Sequence, residues 1–279
     1  MKYLISIIFV SACLSIDILS VGYPASAKSL SSIGYGSAFN KNYSVNPASL
    51  SENNKTYFEF SNNKWIFDIE GSSLSYIDNN TRLSGYYWQV DDIEMYDDTP
   101  SDSPLSTFGS KTLVLNFSQG FNLRNHHLGY SLKYAYMKLL EYEDKGFVMD
   151  LGYQYQFSKE SSLGLLVKNL NTGFKDESHL PEIVILGTSQ KIKNVPITLN
   201  LDVFRNSSED ISGLYQGVVI DSKYLNLVAG YSYNYESEEL DTSLGINLLW
   251  NNLEFSISTL IKENNEIGDP VFYQLSYHL

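Results

Sequence analysis

The chain has 279 residues, a formal net charge of -13 and only 18 % charged residues, but 22 Tyr and 14 Phe. The acidic balance argues against nucleic acid as a partner, since phosphate binding needs clustered Lys and Arg, and the single cysteine, Cys13, rules out a disulfide within the mature chain. Beyond the N-terminus no stretch nears the roughly 20 apolar residues of a membrane helix, so any membrane span must be made of strands.

Residues 1–27 read as an export signal: Met1 and Lys2 give a positive end, 3–10 are almost wholly apolar, and Ala25-Ser26-Ala27 is a small-residue cleavage site. Val10-Ser11-Ala12-Cys13 offers a competing lipoprotein cut, in which Cys13 would be acylated. Both routes take the protein out of the cytoplasm. Residues 28–54 are small and polar, with Gly34, Gly36 and Asn46-Pro47-Ala48-Ser49-Leu50, where Asn before Pro favours a turn. This segment is expected to sit inside a barrel as a small plug, with 55–279 forming the barrel.

From there one rule repeats. Leu128, Tyr130, Leu132, Tyr134 and Tyr136 alternate with Gly129, Ser131, Lys133 and Ala135. Phe147, Met149, Leu151, Tyr153, Tyr155 and Phe157 alternate with Val148, Asp150, Gly152, Gln154 and Gln156, and Leu163, Leu165 and Val167 with Gly164, Leu166 and Lys168. Side chains on a strand alternate between two faces. One face here is apolar and aromatic and the other small or polar, as when the first meets lipid and the second a narrow interior. Strands are predicted at 56–60, 65–77 (with a bulge at Gly71), 81–90, 111–121, 127–138, 147–157, 162–169, 182–192, 197–204, 214–220, 225–233, 242–249, 253–259 and 271–279.

The connections alternate in length. Tight turns fall at Asp78-Asn79-Asn80, Lys159-Glu160, Lys193-Asn194, Ser222-Lys223 and Asn251-Asn252; longer, mostly acidic loops fall at 91–109, 139–146, 170–181, 205–213, 236–241 and 262–270. A soluble sandwich has no reason to sort loop lengths by parity. The fold class is therefore all-β: a transmembrane antiparallel barrel of about fourteen strands with a short N-terminal luminal segment, in the bacterial outer membrane, with both termini on the periplasmic, short-turn side. The last segment, apolar at every second residue from Val271 to Leu279, resembles the closing strand read by outer-membrane assembly machinery.

The order of several short marks resembles the PorV/PorQ family of outer-membrane proteins, distant relatives of FadL-type transporters. These marks are Asn46-Pro47-Ala48, Trp65 near Asp68-Ile69, Asp92-Ile93-Glu94 before Thr107-Phe108-Gly109-Ser110, and Ser131-Leu132-Lys133-Tyr134. They continue with Gly146-Phe147, Asp150-Leu151-Gly152, Val167-Lys168-Asn169-Leu170, Leu180-Pro181 and Gly187. Ser49 stands where the family usually has Gly. The resemblance implies a fourteen-stranded barrel with an N-terminal segment in its lumen. It also implies one of two roles: a type IX secretion-like export component that binds protein partners, or a conduit for hydrophobic small molecules.

No catalytic or phosphate-binding motif is present and no cofactor or metal is expected, so the chain reads as a non-enzyme. His126, His127, His179 and His278 read as scattered surface histidines without metal-ligand spacing. Lys133, Asp150 and Lys168 share the inward parity on adjacent strands and are expected to form a luminal charge network, because a charge facing lipid costs about 2–4 kcal/mol. Leu83, Leu166 and Val228 also read as inward. The acidic run Asp91, Asp92, Glu94, Asp97 and Asp98 reads as an exposed loop suited to docking a protein partner and without ordered calcium-loop spacing. Tyr86, Tyr87 and Trp88 before it are expected in an aromatic girdle.

Overall fold

A computed structural model describes residues 37–38, 45–64, 70–95, 104–140, 142–171, 182–206, 211–262 and 269–279. Fourteen antiparallel strands close into one barrel in sequence order. They are β1 (Thr56–Lys64), β2 (Glu70–Asp78), β3 (Thr81–Met95), β4 (Ser106–Leu123), β5 (His126–Leu139), β6 (Tyr142–Gln156) and β7 (Ser161–Asn171), followed by β8 (Ile183–Lys191), β9 (Ile197–Asn206), β10 (Ile211–Asp221), β11 (Leu225–Asn234), β12 (Leu240–Trp250), β13 (Leu253–Lys262) and β14 (Val271–His278). First and last strands pair from Tyr57↔His278 to Lys64↔Val271. The Leu279 N–H donates to the Thr56 carbonyl at 2.9 Å, completing the seam.

The period-two pattern sorts side chains across the wall. On β13 and β14, Phe255, Tyr273, Leu275 and Tyr277 are exposed on the outside, while Glu254, Ser256, Ser258, Gln274 and Ser276 are buried inside. A soluble fold would place these sets the other way round; a barrel in lipid has this polarity. Phe157, Tyr224, Trp250 and Tyr277 are exposed near the short-turn end, where an interfacial aromatic belt belongs. The turns are tight because their residues accept left-handed backbone: Asn79 has φ 49° and Asn251 φ 53°, a conformation Asn tolerates and hairpin turns require.

Several sequence expectations need correction. β1 runs on through Asn63 to Lys64, and β2 is described from Glu70 in unbroken register, so there is no bulge at Gly71. The apolar alternation fades there: Ser61 and Asn63 face the lumen, and Asn62, on the outside, donates to the Ser72 hydroxyl at 3.2 Å. β3 and β4 continue past a register shift between Val90 and Ile93, pairing Glu94↔Thr107 and Met95↔Ser106. The expected loop at 91–109 is therefore partly a strand extension. Likewise β5 and β6 pair out to Leu139↔Tyr142, so most of the expected loop at 139–146 is strand. Tyr87 faces out, but Tyr86 and Trp88 are buried inside, while Leu83 is exposed rather than inward. The expectations on Cys13, the signal 1–27, Trp65, Asp68, Ile69, His179, Leu180 and Pro181 lie outside the described residues.

An arginine placed on the outer face tests the assignment of that face to lipid. Ile246, exposed between Leu227 and Ile257 on neighbouring strands, should as Ile246→Arg lower unfolding stability in vesicles by about 2–4 kcal/mol, read from the urea midpoint.

Candidate functional site

The site is built where chain lies against wall. Five consecutive strands surrender side chains on the inner face: Gly120, Gly129, Gly152, Gly164 and Gly187 on β4 to β8. Gly120 stands across from Gly129, Gly129 from Gly152, and Gly164 from Gly187. The described part of the N-terminal segment occupies the space they leave. A Cβ at Gly120 would overlap the Ser51 nitrogen, one at Gly129 the Pro47 carbonyl, one at Gly152 the Asn46 side chain, and one at Gly164 the Ser37 carbonyl. At Gly187 the space goes to the Asp202 carboxylate and the Ser37 hydroxyl. Glycine is required here for close backbone approach.

Local sequence shapes the segment. Asn46 caps a short 3-10 helix, Pro47–Glu52, its side-chain oxygen accepting from the Ala48 N–H at 3.0 Å with Pro at the first helical position. The Asn46 amide donates to the Ser37 carbonyl at 2.6 Å, tying the two described pieces together. Pro47, Ala48, Ser49 and Leu50 are buried, and Leu50 packs with Tyr57 and Ile77.

The wall holds this segment with polar groups. Asp202 on β9 accepts from the Ser37 N–H at 2.9 Å and from its hydroxyl at 2.9 Å. The Gln154 amide donates to the Ser37 carbonyl at 2.8 Å and to the Ser49 hydroxyl at 2.9 Å. His127, expected as a surface histidine, is instead 3 % exposed; its Nδ1 lies 2.8 Å from the Ser51 hydroxyl and its Nε2 3.4 Å from Glu52. Its alternation with Leu128 marked His127 as inward, but no sequence signal names an internal partner for it. His278 too departs from that expectation, lying 3.5 Å from the buried Glu254.

Beyond the segment, toward the long-loop end, β3 to β8 carry an apolar collar on the inner face. Tyr86, Val114, Ala135 and Val148 form one buried cluster; Val45 of the segment joins Leu166 and Ile185 in another, with Ile183 and Phe204 against it. Between this collar and the short-turn end lies a polar band in which Asn116 donates to the hydroxyls of Ser84 and Ser118, and Ser118 bonds Ser131 at 2.7 Å.

The residues singled out in the sequence divide. Lys133 and Asp150 meet inside as an ion pair, each at most 2 % exposed. Lys168 is half-buried at a register shift between β6 and β7, and there Asn169, at φ 58°, donates its N–H to Asp150 at 3.0 Å. Asp91 and Glu94 are exposed on the strand extension of β3 rather than in a loop, Asp92 lies on the same stretch, and Asp97 and Asp98 fall outside the described residues. Among the described residues no group of three or more His, Cys, Asp or Glu is placed to hold a metal.

No family model matches the chain and no curated protein matches it. Solved structures do. The toluene transporter TodX of Pseudomonas putida superposes with a TM-score of 0.62 at 14 % identity, over 91 % of this chain and 97 % of that one. A deltaS2S3 mutant of TodX, described as a monoaromatic hydrocarbon channel, gives 0.60 at 13 % over 84 % and 92 %. The outer-membrane protein Omp33 of Acinetobacter baumannii gives 0.50 at 8 % over 81 % and 98 %. At these identities the likeness is one of fold: a closed barrel of the outer-membrane kind. Nothing in these matches supports the PorV/PorQ resemblance or an export role.

The buried ion pair gives a test of the interior. Lys133→Met should cost about 3–5 kcal/mol by stranding Asp150 without its cation, and Lys133→Met with Asp150→Leu should recover most of that loss. Urea titration of the three variants in vesicles measures both effects.

Proposed function

We propose that this protein is a passive conduit for hydrophobic small molecules across the bacterial outer membrane, closed toward its short-turn, periplasmic end by its own N-terminal segment. The observation that carries this reading is the seating of that segment on the inner wall of five consecutive strands that have given up their side chains to admit it. A barrel that served only as an anchor would fill its interior with its own side chains, as small barrels do. This one is filled in part by a piece of chain that hydrogen-bonds with Asp202, Gln154 and His127 of the wall. Such a contact can open while the hydrogen-bonded wall stays closed.

The apolar collar fits the same reading. A hydrophobic molecule entering from the long-loop end meets Tyr86, Val114, Ala135 and Val148, then Leu166 and Ile185, which pack on Val45 of the segment itself. Arrival of an apolar solute and displacement of the segment are thereby coupled through one cluster. The toluene transport named for TodX supports the choice of solute class. No supporting observation favours a secretion partner.

Uptake of a hydrophobic fluorescent dye by intact cells tests the proposal. Cells making the full chain should take up dye faster than cells without it. Gly129→Ala, whose new Cβ collides with Pro47, should raise the rate several-fold while leaving the barrel folded on heat-modifiability gels. Folded Gly129→Ala barrels whose N-terminal segment has become protease-accessible, yet whose cells take up no more dye than cells lacking the protein, would contradict the proposal.

A further inference from the structure

Opposite the glycine wall, the interior presents the same residue types in a different state. On β3 to β5 the inward Ser and Asn side chains satisfy one another, Asn116 with Ser84 and Ser118, and Ser118 with Ser131. On β12 to β14 and β1 only some are bonded: Ser276 accepts from the Gln274 amide at 3.1 Å and the Ser61 hydroxyl donates to the Tyr273 carbonyl at 3.0 Å, while others are not. Asn247 Oδ1, the Ser256 and Ser258 hydroxyls, Gln274 Oε1 and both side-chain polar atoms of Asn63 have no hydrogen-bond partner, although each residue is at most 5 % exposed. Register places these residues together. Asn247 stands across from Ser256, and Ser256 from Gln274; one step toward the long-loop end, Ser258 stands across from Phe272, and Phe272 from Asn63.

A buried polar atom left unpaired costs about 1–3 kcal/mol, so native interiors give such atoms a partner. Five neighbouring residues sharing the deficit form a surface whose hydrogen bonds are completed by something other than the wall. The row is uncharged. Glu59 and Glu254 lie one row toward the short-turn end, and each already faces a cation or a donor: Arg82 at 3.8 Å and Gln274 at 3.0 Å for Glu59, His278 at 3.5 Å for Glu254. Among the described residues this row offers an anion no cation, and a cation would find amides and hydroxyls in place of carboxylates. The neighbouring inward positions Gly217, Gly230 and Gly245 project no side chain into the lumen.

We propose that β12 to β14 and β1 form a lane for uncharged, hydrogen-bonding solutes, of the chemistry of a polyol or an amide. It runs along the face away from both the glycine wall and the apolar collar. The inference rests on the conduit reading and extends it to a second solute class. Polar atoms without partners on one side, and a closed network on the other, are what separate a lane from a merely polar filling.

The test uses the full-length chain carrying Gly129→Ala, reconstituted in vesicles, with swelling in arabinose and in glutamate; dye uptake is measured in cells making the same variants. Arabinose should pass and glutamate should not. Adding Asn247→Leu and Ser256→Leu should slow arabinose about tenfold, the effect of one hydrogen bond withheld from a buried polar group, and leave dye uptake unchanged. Ser131→Ala, in the satisfied network, should leave both rates unchanged. Should the Leu pair fail to fold, Ser256→Asp serves in its place, and an induced preference for cations over anions in reversal potential supports the lane. Dye entry without arabinose entry, arabinose entry unaffected by the Leu pair, or a Ser256→Asp barrel without cation preference overturns the lane and leaves the conduit standing. Entry of neither dye nor arabinose overturns both.

Discussion

The constraint on which everything else depends is closure of the backbone ladder. In hydrocarbon each unpaired N–H or C=O costs several kcal/mol, so a sheet can cross only if it has no edge. Here that condition is met at one seam, where the first and last strands pair along β1 and the final N–H reaches the Thr56 carbonyl. Once the ladder is closed, inside and outside are fixed for every strand by parity alone. An apolar outer face and a polar inner face then follow from the alternation written into the sequence.

Closure also explains how the interior can be specialised without endangering the fold. Because the wall is held by main-chain bonds, inward side chains are free of the duty of making a core. Five strands can therefore give them up at Gly120, Gly129, Gly152, Gly164 and Gly187 to seat the N-terminal segment. At other levels the same and neighbouring strands carry Ser and Asn, and the collar of Tyr86, Val114, Ala135 and Val148. The lumen is thus divided into a seat and a collar at different levels of one side and a polar face on the other. The buried Lys133–Asp150 pair sits among these zones, where its mutual neutralisation keeps a charged group compatible with a narrow interior.

How much of this could be read from the sequence depended on whether the signal was periodic. Strand number and facing came from alternation, which is local, and Lys133 and Asp150 could be put on neighbouring strands by counting back from a hairpin. Strand ends were misjudged where alternation faded: Ser61 to Lys64 lack apolar residues, and Asp91 to Met95 carry charge, yet both stretches pair because the neighbouring strand continues beside them. The seat was not legible as a seat. Each glycine could be seen facing inward, but that five of them line up depends on the register of four hairpins, and that Asn46 and Ser37 lie on them depends on contacts spanning more than 100 residues. His127 was misread for the same reason, since Ser51 is 76 residues away in sequence. The expected acidic docking loop was read from composition alone, which carries no information about pairing.

The central claim is that the N-terminal segment is a gate that moves while the wall does not. Native-state hydrogen exchange of the protein in lipid, with and without a hydrophobic probe, tests it most directly. The account predicts that the Ser49 and Asn53 amides, hydrogen-bonded within the segment at 3.0 Å each, exchange by a local opening that the probe promotes, while amides of β9 and β12 stay protected. Exchange of the segment only through global unfolding, at a rate the probe does not change, would contradict it.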